Sequence, residues 1–148
     1  MSHSFTKVWI HGVFSTKDRI PIIKKDFENA LYSYIQNLLE NELDFRVKII
    51  NGMSEHLHIL FLLNPNYALK DVFHRIKGSS SHWINQENFI KEKFAWQTGY
   101  SAFSVSESKL NDVEKYIQNQ KEHHKKITFQ DEYEAFMKKY GFNILGNG

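Results

Sequence analysis

The alternation of hydrophobic and polar residues along the chain predicts four β-strands. Segments rich in β-branched and aromatic residues, or alternating with period two, are typical of strands. These segments are residues 5–14, 44–53, 54–63 and 101–105. In the second segment, Phe45, Val47 and Ile49 are spaced two apart, so we expect them to share one face. The Asn51-Gly52 pair is a hairpin-turn signal and predicts that the second and third strands pair antiparallel.

Between and after the strands, apolar residues recur three and four positions apart, which predicts four helices. The helices are expected over residues 24–43, 67–86, 106–121 and 128–140. Ser106 and Ser108 are candidate N-caps of the third helix. The run from Gly78 to Ser81 is unfavourable inside a helix. It predicts a kink, a mobile solvated stretch, or a place where hydroxyl groups approach a phosphate.

The predicted order of elements is β-α-β-β-α-β, followed by two more helices. This is the split β-α-β, ferredoxin-like order of an α+β fold. We therefore expect a four-stranded antiparallel sheet with helices on one face, plus two C-terminal helices. The length of 148 residues predicts one domain over 1–148. Three glycines in residues 141–148 predict a flexible tail.

Composition narrows the function classes. The chain has no cysteine, which excludes disulfides, zinc knuckles and thiol catalysis. No apolar run approaches about 18 residues and no signal-peptide pattern is present, so we expect a cytoplasmic protein with no membrane association. A net charge of +2 is compatible with nucleic acid without being diagnostic of it. Eight histidines are a high count for this length, which makes metal or phosphate chemistry worth testing.

The third predicted strand carries two imidazoles, His56 and His58, separated by Leu57. Residues i and i+2 of a strand point to the same face, with Cα atoms about 6–7 Å apart. This spacing suits two ligands of one divalent ion, because neutral imidazole is the commonest metal ligand. By itself, the pair is also compatible with two hydrogen-bonded structural histidines.

The third predicted helix places Tyr116 and Gln120 one turn apart on one face. A tyrosine hydroxyl, with a pKa of about 10, is a poor nucleophile at neutral pH. It becomes useful when a cation polarises the phosphate that it attacks. A carboxamide oxygen one turn away could complete the coordination shell of that cation. On its own, this spacing carries almost no information.

Together, in this order and on this topology, the two groups of residues resemble the single-tyrosine HUH transposases. These are the transposases of the IS-two-hundred-like group of bacterial and archaeal insertion sequences. HUH denotes His-hydrophobe-His, here His56-Leu57-His58, and the tyrosine motif is Tyr116-Ile117-Gln118-Asn119-Gln120. The resemblance extends to residues 77–80, 96–100 and 132–136, and so covers essentially the whole chain.

The resemblance implies a site and a mechanism. His56, His58 and Gln120 would hold one Mg²⁺ or Mn²⁺ ion, and Tyr116 would attack the scissile phosphate. The products would be a 5′-phosphotyrosine link and a free 3′-hydroxyl, which in another cut strand resolves the link. His124, two turns after Tyr116, is the alternative third ligand.

The resemblance also implies the partners of the chain. They are single-stranded DNA with hairpin ends and a second copy of the chain. In such a homodimer, the tyrosine helix of one subunit can complete the metal site of the other. We expect residues 121–127 to be the loop that lets this helix swing.

Dispersed basic residues and two aromatic residues are the candidates for DNA binding. The basic candidates are Lys7, Arg19, Arg46, Lys48, His74, Arg75 and Lys77. Trp96 and Tyr100 are the candidate stacking surfaces. Each basic residue is also compatible with a solvated surface charge. The remaining histidines are interpreted first as structural or surface residues: His3, His11, His82, His123 and His124.

Two other functions remain open. One is another HUH nuclease: a replication initiator, a relaxase, or a domesticated transposase relative that acts on repeated palindromes. Relaxases often carry a third histidine and paired tyrosines, whereas here only Tyr133 and Tyr140 follow the tyrosine motif. The other is a non-enzymatic ferredoxin-like module that binds single strands through exposed sheet aromatics and needs no metal.

Overall fold

The structure, a computed structural model, describes residues 3–142. Its strands are β1 (Trp9–Ser15), β2 (Arg46–Gly52), β3 (His56–Leu62) and β4 (Ser101–Val105). Its helices are α1 (Lys25–Asn37), α2 (Leu69–Glu87), α3 (Leu110–Gln118), α4 (Gln120–His123) and α5 (Phe129–Lys139). Within this range, no helix is long and apolar enough to cross a membrane. Of the tail predicted over 141–148, residues 143–148 lie outside the described part.

The four strands form one antiparallel sheet in the order β2-β3-β1-β4. The two central strands carry the most apolar sequences and are buried along almost their whole length. The predicted α+β fold is therefore confirmed. The first strand begins at Trp9 rather than at residue 5, and Phe5 is exposed.

Each face of the sheet is covered by helices. Helices α1 and α2 pack on one face, where the largest cluster of buried apolar side chains includes Phe14, Leu57 and Phe61. The opposite face is covered by the C-terminal helices. There, Ile117 of α3 packs with Leu60, and Phe129 of α5 packs with Val13. The odd-numbered positions of β1 and the even-numbered positions of β3 thus lie beneath α3 and α5.

A β-bulge at Lys48 overturns the prediction that Phe45, Val47 and Ile49 share one face. Val47 pairs with Phe61, but Ile49 pairs with the next residue of β3, Leu60. The extra residue rotates the rest of β2 by one position, so that the side chains after it change face. Accordingly, Phe45 and Val47 pack on the α1–α2 side, whereas Ile49 packs on the α3 side.

The antiparallel pairing of β2 with β3 is confirmed, but Asn51-Gly52 is not the turn. Asn51 pairs with His58 and Gly52 with Leu57, so both residues belong to the ladder. The chain reverses over residues 53–55, where the Met53 amide donates to the His56 carbonyl at 3.0 Å. The Asn51 amide group instead donates to the carbonyls of Ile117 and Gln118, at 2.9 and 3.2 Å, at the end of α3.

Helix α2 runs through Gly78–Ser81 without interruption, so the expected kink is absent, and the approach of these hydroxyl groups to a phosphate stays a prediction. The side chain of Ser80 is buried, and its hydroxyl accepts a hydrogen bond from Trp96 Nε1 at 2.8 Å. This contact with the loop before β4 helps to hold the stretch in the helix.

The third predicted helix is divided into shorter pieces. A 3₁₀ turn, Glu107–Lys109, precedes α3, and the backbone of Asn119 separates α3 from α4 (φ −94°, ψ 19°). Neither predicted cap forms: Ser106 makes no capping hydrogen bond, and its hydroxyl lies 3.2 Å from that of Ser108. The final helix begins at Phe129, one residue after the predicted start, and Thr128 is its N-cap, accepting from the Asp131 amide at 3.2 Å.

Candidate metal and nucleophile site

His56 and His58 leave β3 on the face covered by α3 and α5. Both side chains are fully buried, and their ring centroids are 5.1 Å apart. Leu57, between them, points into the opposite core beneath α1 and α2. The period of the strand thus places the two rings side by side in a closed space.

The Nδ1 atom of each of these rings contacts a neighbouring side chain on the side away from the site. His56 Nδ1 lies 2.5 Å from Glu55 Oε1, and His58 Nδ1 lies 2.8 Å from His11 Nε2. The two Nε2 atoms are therefore left facing the interior of the site. Outer partners that fix the tautomer and orientation of an imidazole are typical of metal-binding histidines.

Glu132 of α5 faces both Nε2 atoms. Its Oε1 lies 3.0 Å from His58 Nε2 and 3.4 Å from His56 Nε2, and the side chain is 2% exposed. We did not predict Glu132 as a site residue. A signal was present, because Glu132 falls at helical spacing between Phe129 and Phe136 on the apolar side of α5.

Gln120 is the third predicted ligand, and the structure brings it to the same place. Its side chain is fully buried, with Oε1 at 3.1 Å from His56 Nε2. Its amide donates to Glu132 Oε2 at 3.0 Å. The carboxamide reaches the cluster even though the backbone breaks at Asn119.

Tyr116 completes the cluster within the same chain. Its ring meets the His58 ring edge to face, with centroids 5.9 Å apart. Its hydroxyl donates to Glu132 Oε2 and lies 3.5 Å from His123 Nε2. Burial, together with the hydrogen bond to the charged Glu132, raises the pKa of the Tyr116 hydroxyl well above its ordinary value. The phenol is therefore protonated at neutral pH.

The protonation states of the cluster are set by burial and by the surrounding histidines. Burial raises the pKa of Glu132, but the contacts with His124, His56 and His58 outweigh it and hold this pKa far below the ordinary range. Burial lowers the pKa of His58 to about 4. Burial also lowers the pKa of His56. Its hydrogen bonds to Glu132 and Glu55 raise this pKa by more than burial lowers it, so the net shift is upward. Glu132 is thus an ionised carboxylate and His58 a neutral imidazole, which are the forms that bind cations.

The donor set fits a divalent metal ion. His56, His58 and Glu132 bring one ligand atom each to within 4.8 Å of the others, and Gln120 adds a carboxamide oxygen. Imidazole nitrogen combined with carboxylate oxygen suits first-row divalent ions. The buried group could therefore hold such an ion.

His124, the alternative third ligand, lies at the edge of this cluster. Its ring centroid is 4.7 Å from that of His56, and its Nε2 is 3.2 Å from Glu132 Oε2. That nitrogen is buried and has no aligned hydrogen-bond partner among the described residues. With His123 and Glu132, it forms a second group whose ligand atoms lie within 4.8 Å of one another.

The segment 121–127 is not a free loop. Its first three residues belong to α4, and turns follow. Lys121 Nζ donates to the Gly52 carbonyl and lies 3.2 Å from Glu28 Oε2. These contacts tie α4 to β2 and α1.

A cleft of about 760 Å³ lies beside Tyr116, between α3 and α5. Tyr116, His123 and Phe136 form part of its wall, and Lys109 and Lys139 also line it. The cleft therefore brings the phenol within reach of a ligand that enters between the two helices.

The basic residues predicted to bind DNA are not brought together. Arg75 and Lys77 lie on α2, on the far side of the sheet, where Arg75 is 3.7 Å from Glu42 and Lys77 donates to the Gly99 carbonyl at 2.5 Å. Arg46 and Lys48 lie on β2 and are exposed. Arg19 hydrogen-bonds Gln130, and its guanidinium lies 4.9 Å from the centroid of the Phe129 ring.

The two aromatic candidates belong largely to the core. Trp96 is 8% exposed and packs edge to face on Phe14 and Phe94. Tyr100 stacks on Phe73 with ring centroids 4.2 Å apart. Stacking of Trp96 on a DNA base would need an exposed ring, whereas the ring is buried in the structure.

Comparison with known proteins shows the family. The family model described as "Transposase IS200 like" matches residues 4–120. ISDra2 transposase TnpA of Deinococcus radiodurans is 25% identical over 116 residues, which is 74% of this chain and 81% of that protein. The chain therefore belongs to the IS200-like transposase family, and the resemblance drawn from its motifs is confirmed.

Two solved structures share the fold. A candidate transposase from Deinococcus radiodurans R1 superposes with a TM-score of 0.64 at 19% identity, over 81% of this chain and 95% of that chain. A REP-associated tyrosine transposase bound to a REP hairpin superposes with a TM-score of 0.60 at 14% identity, over 84% of this chain and 74% of that chain. Glu132 lies beyond the segment that the family model matches.

Proposed function

We propose that this protein cleaves and rejoins single-stranded DNA at insertion-sequence ends through a 5′-phosphotyrosine intermediate, with the help of a divalent metal ion. The observation that carries the proposal is one buried cluster, in a chain of the transposase family, that joins a tyrosine hydroxyl to a set of metal-binding side chains. Tyr116 provides the hydroxyl, and the cleft beside it gives a substrate access.

His56, His58 and Gln120 are the proposed ligands of the ion. When bound, the ion would polarise the scissile phosphate and stabilise the charge that develops on it. We propose Mg²⁺ or Mn²⁺; the two imidazoles favour Mn²⁺, because Mg²⁺ prefers an all-oxygen shell. Glu55 and His11 hold the two rings so that each Nε2 faces the site.

Tyr116 is the proposed nucleophile. Its oxygen forms a bond to the phosphorus, the bond from phosphorus to the 3′-oxygen breaks, and the leaving oxygen takes a proton while the phenol loses one. The 5′-phosphate stays on Tyr116, so the bond energy is conserved and no external energy source is needed. The 3′-hydroxyl of another cut strand then reverses the step and joins the two ends.

The proposed substrate is single-stranded DNA with hairpin ends, and the proposed assembly is a homodimer. A protein of the same fold is bound to a REP hairpin, which supports the choice of substrate. Lys109 and Lys139 line the cleft beside Tyr116 and suit a phosphate backbone. Arg19, Arg46 and the other predicted basic residues remain proposed phosphate contacts outside the cleft.

A suicide substrate tests the proposal. Wild-type protein, incubated with a labelled single-stranded hairpin and Mn²⁺, should run as a protein–DNA adduct on a denaturing gel. Mass spectrometry should place the adduct on the peptide that contains Tyr116. Tyr116→Phe should form no adduct yet stay folded, with its free energy of unfolding lowered by about 1.5–3 kcal/mol, because one hydrogen bond to the charged Glu132 is lost.

The metal ligands give the second arm of this experiment. His56→Ala or His58→Ala should abolish cleavage and spare most DNA binding. An adduct on Tyr133 or Tyr140 would reassign the nucleophile. Hydrolysis without an adduct on any tyrosine would contradict the transposase mechanism.

A nuclease that acts on repeated palindromes is the second candidate, favoured by the REP hairpin in the structural neighbour. Cleavage of repeated palindromes, with none at the ends of an insertion sequence, would support it. A non-enzymatic module that binds strands on an open aromatic sheet is not supported, because helices cover both faces of the sheet in the described chain.

A further inference from the structure

Glu132 contacts both halves of the proposed site at once. Its Oε1 faces His58 Nε2 at 3.0 Å and His56 Nε2 at 3.4 Å. Its Oε2 accepts hydrogen bonds from the Tyr116 hydroxyl and from the Gln120 amide. A single carboxylate thus lies between the metal-binding imidazoles and the nucleophile.

We propose that Glu132 is a further ligand of the divalent ion through Oε1 and, through Oε2, the positioning residue that holds Tyr116 beside that ion. The positioning half of this inference rests on the proposed function, because it assumes that Tyr116 is the nucleophile. The ligand half does not, since ion binding can be measured without DNA.

The partners of Glu132 distinguish a metal ligand from a structural ion pair. A buried carboxylate is costly unless it is paired or binds a metal. Within residues 3–142, the basic side chains at ion-pair distance from Glu132 are all histidines, with neither lysine nor arginine among them: His56, His58, His123 and His124. A carboxylate surrounded by imidazoles has the composition of a metal site rather than of a salt bridge.

Helix α5 is fixed in the orientation that this role needs. Phe129, three residues before Glu132, stacks on the His56 ring with centroids 4.0 Å apart. Phe136, four residues after it, packs edge to face on His11 and on Tyr116. Residues at these spacings share one helix face, so the carboxylate is directed into the site on both sides by aromatic contacts.

The arrangement makes the position of Tyr116 depend on the same group that binds the ion. A carboxylate can accept on both oxygens, whereas a carboxamide accepts on one side and donates on the other. Glu132→Gln keeps the size of the side chain and cannot serve both partners. Glu134→Gln is the matched control, because Glu134 lies on the same helix and accepts from Gln130 Nε2 at 2.6 Å, outside the cluster.

Ion affinity is the first readout. Titration of the full-length protein with Mn²⁺, followed by electron paramagnetic resonance without DNA, should show an affinity at least about tenfold weaker in Glu132→Gln, since even an outer partner of a ligand is worth 10–100-fold. Glu134→Gln should match the wild type. Urea unfolding confirms that each variant is folded. Unchanged Mn²⁺ affinity in folded Glu132→Gln would overturn the ligand role.

A measurement on the wild type keeps the test decisive if Glu132→Gln does not fold. Protein labelled with ¹³C at the glutamate carboxyl groups should show electron–nuclear coupling from bound Mn²⁺ to a carboxyl carbon. The absence of this coupling would also overturn the ligand role.

The position of the nucleophile is the second readout. With 3-fluorotyrosine placed only at position 116, saturating Mn²⁺ should broaden the ¹⁹F signal in otherwise wild-type protein, and Mg²⁺ should not. Glu132→Gln at saturating Mn²⁺ should lose much of this broadening, and Glu134→Gln should keep it. Equal broadening in both variants would overturn the positioning role. Failure of the proposed function appears separately, as the absence of a wild-type DNA adduct.

Discussion

His11 shows how strongly the surroundings of a side chain decide what it does. It is 1% exposed, and its Nε2 lies 2.8 Å from His58 Nδ1. Burial, and then the neighbouring His58, hold the pKa of His11 well below its ordinary value, so the ring is neutral. Of two neutral imidazoles in contact, one donates and one accepts. If His11 accepts, the lone pair of His58 Nε2 is free for an ion.

The first prediction is that removing this acceptor weakens the binding of the ion. In His11→Phe, no acceptor remains for a proton on His58 Nδ1, so the tautomer that leaves Nε2 free is disfavoured, and Mn²⁺ affinity should fall about 10–100-fold, as for other outer partners of ligands. His11→Gln keeps an acceptor and should retain most of the affinity. Titration of both variants with Mn²⁺ checks this. Wild-type affinity in a folded His11→Phe protein would show that His11 only fills space.

The same scale shows which site residues the sequence can predict. His56 and His58 are two apart on one strand, so local periodicity was enough to group them. Tyr116 and Gln120 were added through the family resemblance, because their spacing alone carries almost no information. His11 faces His58 only because Val13 pairs with His58 in the β1–β3 register. That register is set by tertiary packing and leaves no mark in either segment alone. Glu132 could not be predicted for the same reason, because its contact with the histidines of β3 depends on how α5 packs on the sheet.

At the scale of the element, the β2–β3 hairpin holds the metal-binding strand in place. The backbone packs so closely at Gly52 that an added Cβ would lie 2.1 Å from the His56 carbonyl oxygen and 2.9 Å from Leu57 Cα. Both of these are backbone atoms, which cannot rotate away. Gly52 therefore allows the close approach that positions His56 at the start of β3.

We predict that Gly52→Ala destabilises the protein by about 1–3 kcal/mol, the usual cost of overpacking a well-packed position. The matched control is Gly78→Ala in the middle of α2, where an added Cβ meets nothing within 4 Å. Alanine there should stabilise the helix by about 0.5–1 kcal/mol. Urea unfolding of the two variants should give shifts of opposite sign. Equal stability of Gly52→Ala and wild type would contradict the close approach.

Element boundaries were predictable where a local signal acts alone. The last helix has a Thr128 cap that forms its hydrogen bond, and β4 occupies the expected residues. Predictions failed where a distant contact competes with the local signal. Asn51 is drawn from a turn into the β-ladder by its hydrogen bonds to the end of α3. The bulge at Lys48 likewise reflects pairing with β3, which the spacing of Phe45, Val47 and Ile49 does not reveal.

At the scale of the whole molecule, the site is assembled from parts distant along the chain. His11 comes from β1, His56 and His58 from β3, Tyr116 from α3, and Glu132 from α5. The sheet was predicted correctly because its order follows from the sequence of strands and helices. We did not predict that helices cover its second face, because the sequence does not show where the C-terminal helices pack.

The last prediction concerns how many chains one site needs. Tyr116 lies beside His58 and Glu132 of its own chain, and its helix is held there by the burial of Ile117 and by the hydrogen bonds from Asn51 to the end of α3. Lys121 adds a tie from α4 to the Gly52 carbonyl. We therefore expect each subunit of the proposed dimer to carry a complete site. This arrangement differs from the shared one that the family resemblance allows.

Mixing two inactive variants tests this arrangement. Tyr116→Phe and His56→Ala, co-expressed with different tags and purified through both, give mixed dimers in which no single chain has both groups. These dimers should form no adduct with a suicide hairpin in Mn²⁺, while dimers of wild type and His56→Ala, purified in the same way, should form adducts on the wild-type chain. Mass spectrometry identifies the labelled chain by its tag. An adduct on the His56→Ala chain of the doubly mutant dimer would show that its Tyr116 reaches the partner's metal site. The helix would then have to leave its contacts with Asn51 and cross between subunits, and the complete site within one chain would be a resting state rather than the cleaving one.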